Sequence, residues 1–259
     1  MKLTNNTILI TGGGSGIGEA LAHRFHDLGN TVIIAGRRRE ALEQAIAGRP
    51  NMHAMTFDVE DADGIALFAE AVLAAHPQLN VLINNAGVML SEPLDRQRDL
   101  TDAEMTITTN LLGPIRLTNA LIDHLTRQND ATIVNVSSGL AFVPLIASPT
   151  YSATKAAIHS YTIALREALR DKVEVIELAP PGVQTQLTLG QESNSTFLPL
   201  NDFADEVMTL FACEPTPPEI LVERVGFLRF AEAENRFDET LVTLNGLNRA
   251  VEASSGSAQ

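Results

Sequence analysis

The sequence predicts a single α/β domain built on a doubly wound parallel sheet. Three observations carry the prediction. Short apolar, β-rich runs alternate with longer amphipathic stretches, as strands alternate with the helices that cover them. The strand-like runs carry apolar side chains on both faces, as expected when both faces of a sheet are buried. A glycine cluster, Gly12-Gly13-Gly14-Ser15-Gly16-Ile17-Gly18, falls between the first strand-like run and the first helical one.

Residues 7–11 (Thr-Ile-Leu-Ile-Thr) read as the first strand and residues 17–28 as the first helix, stopped by Gly29-Asn30. Strands follow at 31–35, 52–57, 81–84, 131–136 and 173–178, with helices at 41–47, 61–75, 102–128 and 150–170 between them. The remainder reads as helix, over 203–213 and 219–245, with no seventh strand. No internal repeat or low-complexity linker interrupts the order. The 259 residues suit one domain, since α/β domains reach about 250 residues. Residues 1–249 are expected to form it, with 186–213 as a substrate loop or lid and the small, polar 250–259 as a flexible tail.

The net charge of −14 repels phosphate backbones and anionic lipid, so nucleic acid and membranes are not expected as partners. No run nears the ~20 apolar residues of a membrane span. The one cysteine, Cys213, cannot form an intramolecular disulfide and reads as a small core residue. A cytoplasmic location is the expectation. The six histidines (His23, His26, His53, His76, His124 and His159) show no ligand spacing, so no metal site is expected.

A strand–glycine turn–helix junction suits a pyrophosphate. Free N–H groups and the positive end of the helix dipole face the anion, and side chains would hold it away. The second strand ends in Ala35-Gly36-Arg37-Arg38-Arg39. An acid at this point would bind a ribose 2′-hydroxyl and repel a 2′-phosphate. Gly36 removes that repulsion, and a guanidinium can clamp the phosphate with charge-assisted hydrogen bonds. This basic patch of Arg37, Arg38 and Arg39 points to NADP(H), with Arg38 able to share the phosphate or stack on adenine. The competing view is a solvated charge run that starts a helix.

Tyr151-Ser152-Ala153-Thr154-Lys155 opens a helix, and positions i and i+4 share a face. A phenol is a poor acid or base near neutrality, and a cation one turn away should lower its pKa. Taken alone the pair also suits a surface salt-tolerant helix face. Ser137 and Ser138, just past the fifth strand, each offer a hydroxyl that could stabilise negative charge on a carbonyl oxygen.

These motifs and their spacing resemble the short-chain dehydrogenase/reductase family, in its small single-domain, Rossmann-type branch. The similarity runs from Thr7 to about Thr185. The opening Thr-Asn-Asn-Thr-Ile-Leu-Ile-Thr-Gly-Gly, the Pro-Pro-Gly-Val-Gln-Thr stretch and the helical ending resemble the DltE-like bacterial subgroup. The resemblance implies a catalytic set of Asn110, Ser138, Tyr151 and Lys155. It implies cofactor contacts from Gly12, Gly14, Ser15, Gly16, Ile17 and Gly18, and from Arg37 and Arg38 at the 2′-phosphate. Asp58 and Val59 would meet adenine, while Asn85, Ala86 and Gly87 would line the ribose. Tyr151 and Lys155 would also touch the cofactor, and Pro181, Val183 and Thr185 would receive the nicotinamide, Val183 by backbone groups and Thr185 by its hydroxyl. Asn84 is either a brace of the sheet or part of the site.

Asn110 has independent support. Pro114 lacks an N–H, so it cannot bond the carbonyl four residues back, which is that of Asn110. A kink should result, leaving that carbonyl for a water; the resemblance implies that such a water relays protons to Lys155. The alternative is a helix that begins near Pro114 and is capped by Asn110. Leu140, Val143, Leu187 and Leu189 are expected to wall the substrate, which favours an aromatic or aliphatic ketone over a charged metabolite.

The function so implied is reversible hydride transfer between NADP(H) and a ketone or secondary alcohol, with Tyr151 as acid/base. The alternatives are a non-catalytic NADP-binding sensor or scaffold, and an epimerase or dehydratase on the same fold. The partners implied are a small-molecule carbonyl or alcohol substrate and a second copy of the chain, bound through helices 102–128 and 150–170 as a homodimer.

Overall fold

The computed structural model describes residues 1–246, so the expected tail at 250–259 lies outside them. Strands β1 (Thr7–Thr11), β2 (Thr31–Gly36), β3 (Met52–Thr56), β4 (Val81–Asn84), β5 (Thr132–Val136), β6 (Glu174–Leu178) and β7 (Glu219–Ile220) form one sheet. Their order is β3-β2-β1-β4-β5-β6-β7, and every neighbouring pair is parallel. The chain order reverses between β1 and β4, which opens a crevice beyond the carboxyl ends of those strands.

Alternate residues of each strand serve opposite faces. Ile8 and Ile10 of β1 point to the layer of α1 (Gly16–Asp27), where they join Leu21, Phe25, Phe203 and Phe211. Leu9 points the other way, toward α3 (Ala62–Ala75), and packs with Val72, Leu117 and Leu121. The helix α2 (Arg39–Ile46) returns the chain from β2 to β3.

The long helix expected over 102–128 is continuous but not uniform. It comprises α4 (Thr101–Ile107), a π-turn (Thr108–Leu112) and α5 (Gly113–Leu125). The Gly113 N–H reaches back five residues to the Thr108 carbonyl. Pro114 stands in the first turn of α5, just past this wide turn, where the missing N–H costs no regular bond. The helix therefore does not begin at Pro114, and Asn110 is no cap.

Helix α6 (Pro149–Ala168) carries the Tyr151–Lys155 pair. Ile107, Leu112 and Ile163 leave part of their apolar surface exposed on the π-turned helix and α6.

The end of the chain departs from expectation. Residues 219–245 are not one helix. Glu219 and Ile220 form β7, a seventh strand in register with Glu177 and Leu178, and Ile220 is fully buried. Two residues are too few to show the alternation that marks a strand, and the Leu, Val and Phe spacing that follows reads as helical. After β7 come the short α8 (Gly226–Arg229) and α9 (Phe237–Asn245). The segment 186–213 also divides. Residues 186–199 form a loop, whereas α7 (Leu200–Phe211) buries Phe203, Ala204, Val207 and Phe211 in the core. Cys213 is exposed beyond α7 rather than internal.

Candidate active site

A cavity of about 460 Å³ opens at the β1/β4 reversal and runs from the arginines after β2 to the Tyr151–Lys155 face of α6. Its floor is the glycine turn. Gly12 adopts φ +67, and a Cβ there would stand 2.9 Å from the Ala86 Cα. Only glycine combines that backbone with that approach. At Gly18 a Cβ would lie 2.4 Å from the Gly12 carbonyl oxygen, so this glycine seats α1 against the turn. Gly18 is outside the cavity wall, and its role is packing. Gly12, Gly14, Ser15, Gly16 and Ile17 do line the cavity.

Thr11 and Asn85 tie the two sides of the crevice together. The Thr11 hydroxyl accepts from the Asn85 and Ala86 N–H groups, each at 3.1 Å. Asn85 Nδ2 donates to the Thr11 carbonyl at 2.9 Å. Asn84 is a brace: its Nδ2 donates to Thr118 at 3.1 Å and to Asn135 at 2.9 Å, inside the protein.

At the open end, Arg37 and Arg38 both border the cavity. Arg38 donates to the Ser15 hydroxyl at 3.1 Å, so a guanidinium overlies the glycine turn. Arg37 pairs with Glu60 at 3.0 Å, with about half its side chain exposed. The Glu60 carboxylate also accepts from the Thr109 hydroxyl at 2.9 Å. Phe57 and Val59 line this end, but Asp58 does not; its carboxylate accepts from the Glu60 N–H at 3.0 Å. The glycine cradle, the lack of an acid after β2 and the two guanidinium groups fit a phosphorylated dinucleotide.

At the closed end, Ser138, Tyr151 and Lys155 lie together in the wall, each nearly or wholly buried. Ser138 Oγ accepts from the Leu140 N–H at 3.1 Å, which fixes its rotamer at the end of β5. Ser137 has its hydroxyl engaged elsewhere, donating to the buried Glu177 carboxylate, which leaves Ser138 as the serine available to a ligand. Lys155 Nζ donates to the Val136 carbonyl at 2.8 Å and stands 5.5 Å from the Tyr151 ring centre. Burial pushes the Lys155 ammonium down to about 8.

Burial also pushes the Tyr151 phenol up to about 12, and the Ser138 side chain opposes that rise without reversing it. The lowering expected from Lys155 does not appear, and removal of the phenol from water decides the direction. A neutral phenol is the form that can give up a proton.

Asn110 is buried behind the cavity rather than in its wall. Its Oδ1 accepts from the Val88 N–H at 2.9 Å, and its Nδ2 donates to the Val88 carbonyl at 2.8 Å. The π-turn thus aims Asn110 at the loop after β4 and holds it as an extra backbone partner would. A Cβ on Gly87 would come 3.2 Å from Asn110 Oδ1 and 3.7 Å from Lys155 Nζ, so Gly87 keeps that corner open.

Pro181, Val183 and Thr185 reach the wall as expected. Of the four apolar residues expected there, only Leu187 does. Val143 is buried against Leu228 and Ala231, with Leu140 packed on that cluster, and Leu189 projects into solvent. The apolar lining comes instead from Val88, Met89 and Leu90. Their position directly after Asn84-Asn85-Ala86-Gly87 was a signal present in the sequence. Gln186 and Gln191 complete the wall from the loop. His159, Glu177 and Glu219 bring ligand atoms within 4.8 Å of one another outside the cavity, where Arg229 already grips Glu219 with two hydrogen bonds at 2.7 and 3.0 Å.

The sequence model of the short chain dehydrogenases matches residues 6–195, which span strands β1 to β6, the glycine turn and all four expected catalytic residues. The chain belongs to the short-chain dehydrogenase/reductase family. It is of the DltE-like type, being 41% identical over 237 residues to the uncharacterized oxidoreductase DltE of Bacillus subtilis, with 89% of this chain and 93% of that one covered. A sulfoacetaldehyde reductase of Chromohalobacter salexigens is 32% identical over 246 residues, covering 89% of this chain and 96% of the relative. Among solved structures, a serine dehydrogenase complexed with NADP+ superposes with a TM-score of 0.73 at 26% identity, covering 83% and 92% of the two chains. A short-chain dehydrogenase/reductase from Burkholderia phymatum in complex with NAD shares the fold, with a TM-score of 0.80 at 22% identity over 92% and 96% of the chains. This oxidoreductase family binds nicotinamide cofactors of both kinds. Among the described residues no helix is long and apolar enough to cross a membrane.

Proposed function

We propose that this oxidoreductase is an NADPH-dependent carbonyl reductase, working reversibly as an alcohol dehydrogenase. One observation carries the reading: Ser138, Tyr151 and Lys155 share a single cavity with the glycine turn and with Arg37 and Arg38. The bound cofactor would supply the hydride. The glycine turn would seat its pyrophosphate, the two arginines would clamp the 2′-phosphate, and Val183 and Thr185 would receive the nicotinamide carboxamide.

Ser138 Oγ–H orients the substrate carbonyl oxygen by hydrogen bonding and stabilises charge developing on it. Tyr151 gives its phenolic proton to that oxygen. The Lys155 ammonium stabilises the phenolate left behind, and a proton returns to Tyr151 through Lys155. Asn110 contributes by holding the loop after β4, and a water on its main chain would connect Lys155 to solvent. Val88, Met89, Leu90 and Leu187 favour an apolar ketone or secondary alcohol. The working unit is a homodimer built on the π-turned helix and α6, supported by the exposed Ile107, Leu112 and Ile163. It acts in the cytoplasm on small molecules.

The test is NADPH oxidation over a panel of ketones and aldehydes, with NADH alongside and Tyr151→Phe as control. Turnover that prefers NADPH and vanishes in the variant is the expected result. Turnover that survives in Tyr151→Phe would refute the role given to the tyrosine. Light scattering on the purified chain should give twice the monomer mass; a monomer would remove the dimer.

A further inference from the structure

One side chain inside the cavity carries the same functional group as the nicotinamide. Val183 forms an isolated parallel bridge with Leu198. In it the Leu198 N–H donates to the Gly182 carbonyl, and the Gln184 N–H donates to the Leu198 carbonyl, each at 2.9 Å. Such a bridge uses the groups of the flanking residues and turns the central residue's own N–H and C=O the other way. Val183 thereby presents its peptide groups away from Leu198.

Gln191 meets them. Its Nε2 donates to the Val183 carbonyl at 2.7 Å and to the Thr185 hydroxyl at 3.1 Å. The Thr188 hydroxyl donates to Gln191 Oε1 at 2.8 Å, which fixes the end of the amide that faces Val183. Gly190, at φ +76, turns the loop back so that Gln191 points inward while Leu189 stands in solvent. Gln191, Val183 and Thr185 all line the cavity.

We propose that Gln191 is an affinity-determining residue for the cofactor: its primary amide fills the subsite of the nicotinamide carboxamide and competes with it for Val183 and Thr185. This rests on the reading above, in which those two residues receive the carboxamide. Both groups are –CONH2, with the same two N–H donors and one carbonyl acceptor. The binding-competent fraction is the fraction with Gln191 displaced, so the observed affinity is reduced in proportion. Release of Gln191 also frees the turn around Gly190. Cofactor occupancy is thereby linked to the position of the loop that carries Leu187, a substrate-wall residue. A ligand that ends before the nicotinamide does not meet Gln191.

The experiment is calorimetric titration of the full chain and of Gln191→Ala and Gln191→Met with NADP+ and with adenosine 2′,5′-bisphosphate, which has no nicotinamide. Loss of two neutral hydrogen bonds from the competing state should tighten NADP+ binding about ten-fold in both variants. Binding of the bisphosphate should stay within about two-fold of the unsubstituted chain, which also reports that the fold is intact. Unchanged or weaker NADP+ binding in variants that still bind the bisphosphate normally would overturn the competition. So would an equal gain for both ligands, which would place the effect at the cavity mouth. If the unsubstituted chain does not bind NADP+, the proposed function itself fails, and the subsite with it.

Discussion

The two ends of the cavity hold their charges under opposite conditions. At the arginine end, the half-exposed Arg37 pairs with Glu60, and Arg38 donates to Ser15 of the glycine turn. At the tyrosine end, Lys155, Tyr151 and Ser138 are almost without solvent. An exposed ion pair contributes little and is easily exchanged for a ligand phosphate. A buried proton carrier changes its affinity for protons by whole units. One end of the crevice is thus suited to recognition by exchange, the other to chemistry by desolvation, and substitutions should rank accordingly.

The largest effect should come from the closed end. Tyr151→Phe keeps the ring and removes the proton, so kcat should fall on the order of 1,000-fold with NADPH affinity unchanged, as measured by single-turnover kinetics and titration. Loss of affinity without loss of rate would erase the distinction between the ends. The next effect is on pH. Lys155 keeps its proton below about 8 and loses it above, while the phenol, at about 12, does not titrate in that range. Reduction needs the ammonium to stabilise the phenolate, so kcat/KM for reduction should decline as pH rises through about 8, approaching ten-fold per unit. A flat profile to pH 10 would show that the ammonium is not needed.

The open end should respond more gently. Arg37→Ala should weaken NADPH by about ten-fold and leave NADH nearly unchanged, because one charge-assisted phosphate contact is lost. Equal losses for both cofactors would remove the 2′-phosphate from Arg37. Glu60→Gln should act in the other direction and least of all. With its partner neutral, Arg37 is freer for a phosphate, and NADPH should bind about two- to three-fold tighter in a low-salt titration. Tighter binding of NADH as well would locate the effect elsewhere.

The same contrast separates what is legible in the sequence from what is not. Strands β1 to β6 are long enough for their apolar majority to be plain, and the glycine turn and the Tyr151–Lys155 spacing are local, so all are legible. What was missed depends on contacts distant in sequence. Ile220 becomes strand only because Leu178 lies beside it. Val143 looks like a wall residue until Leu228 and Ala231 cover it. The Tyr151 pKa follows total burial, which a tyrosine with a lysine four positions on does not reveal. Pro114 gave the right place for an irregular helix, but nothing in the residue types specified that the irregularity would be a π-turn. Nor does anything in the sequence around Gln191 foretell that its amide turns toward Val183.

That π-turn has an arithmetic consequence. A helix that closes one ring over five residues instead of four contains one residue more than a regular helix of the same length. Deleting any single residue from 108–112 would let the hydrogen bonds reset to the ordinary pattern and give a more regular rod. The same residues wound without the deletion as an unbroken helix, at 3.6 per turn, would instead carry everything after 112 about 100° further round relative to everything before 108. Asn110 could then no longer face Val88 while Leu117 and Leu121 remain in the core. The irregularity works as a phase adjustment: it lets one continuous helix serve two surfaces that an unbroken period would set out of step.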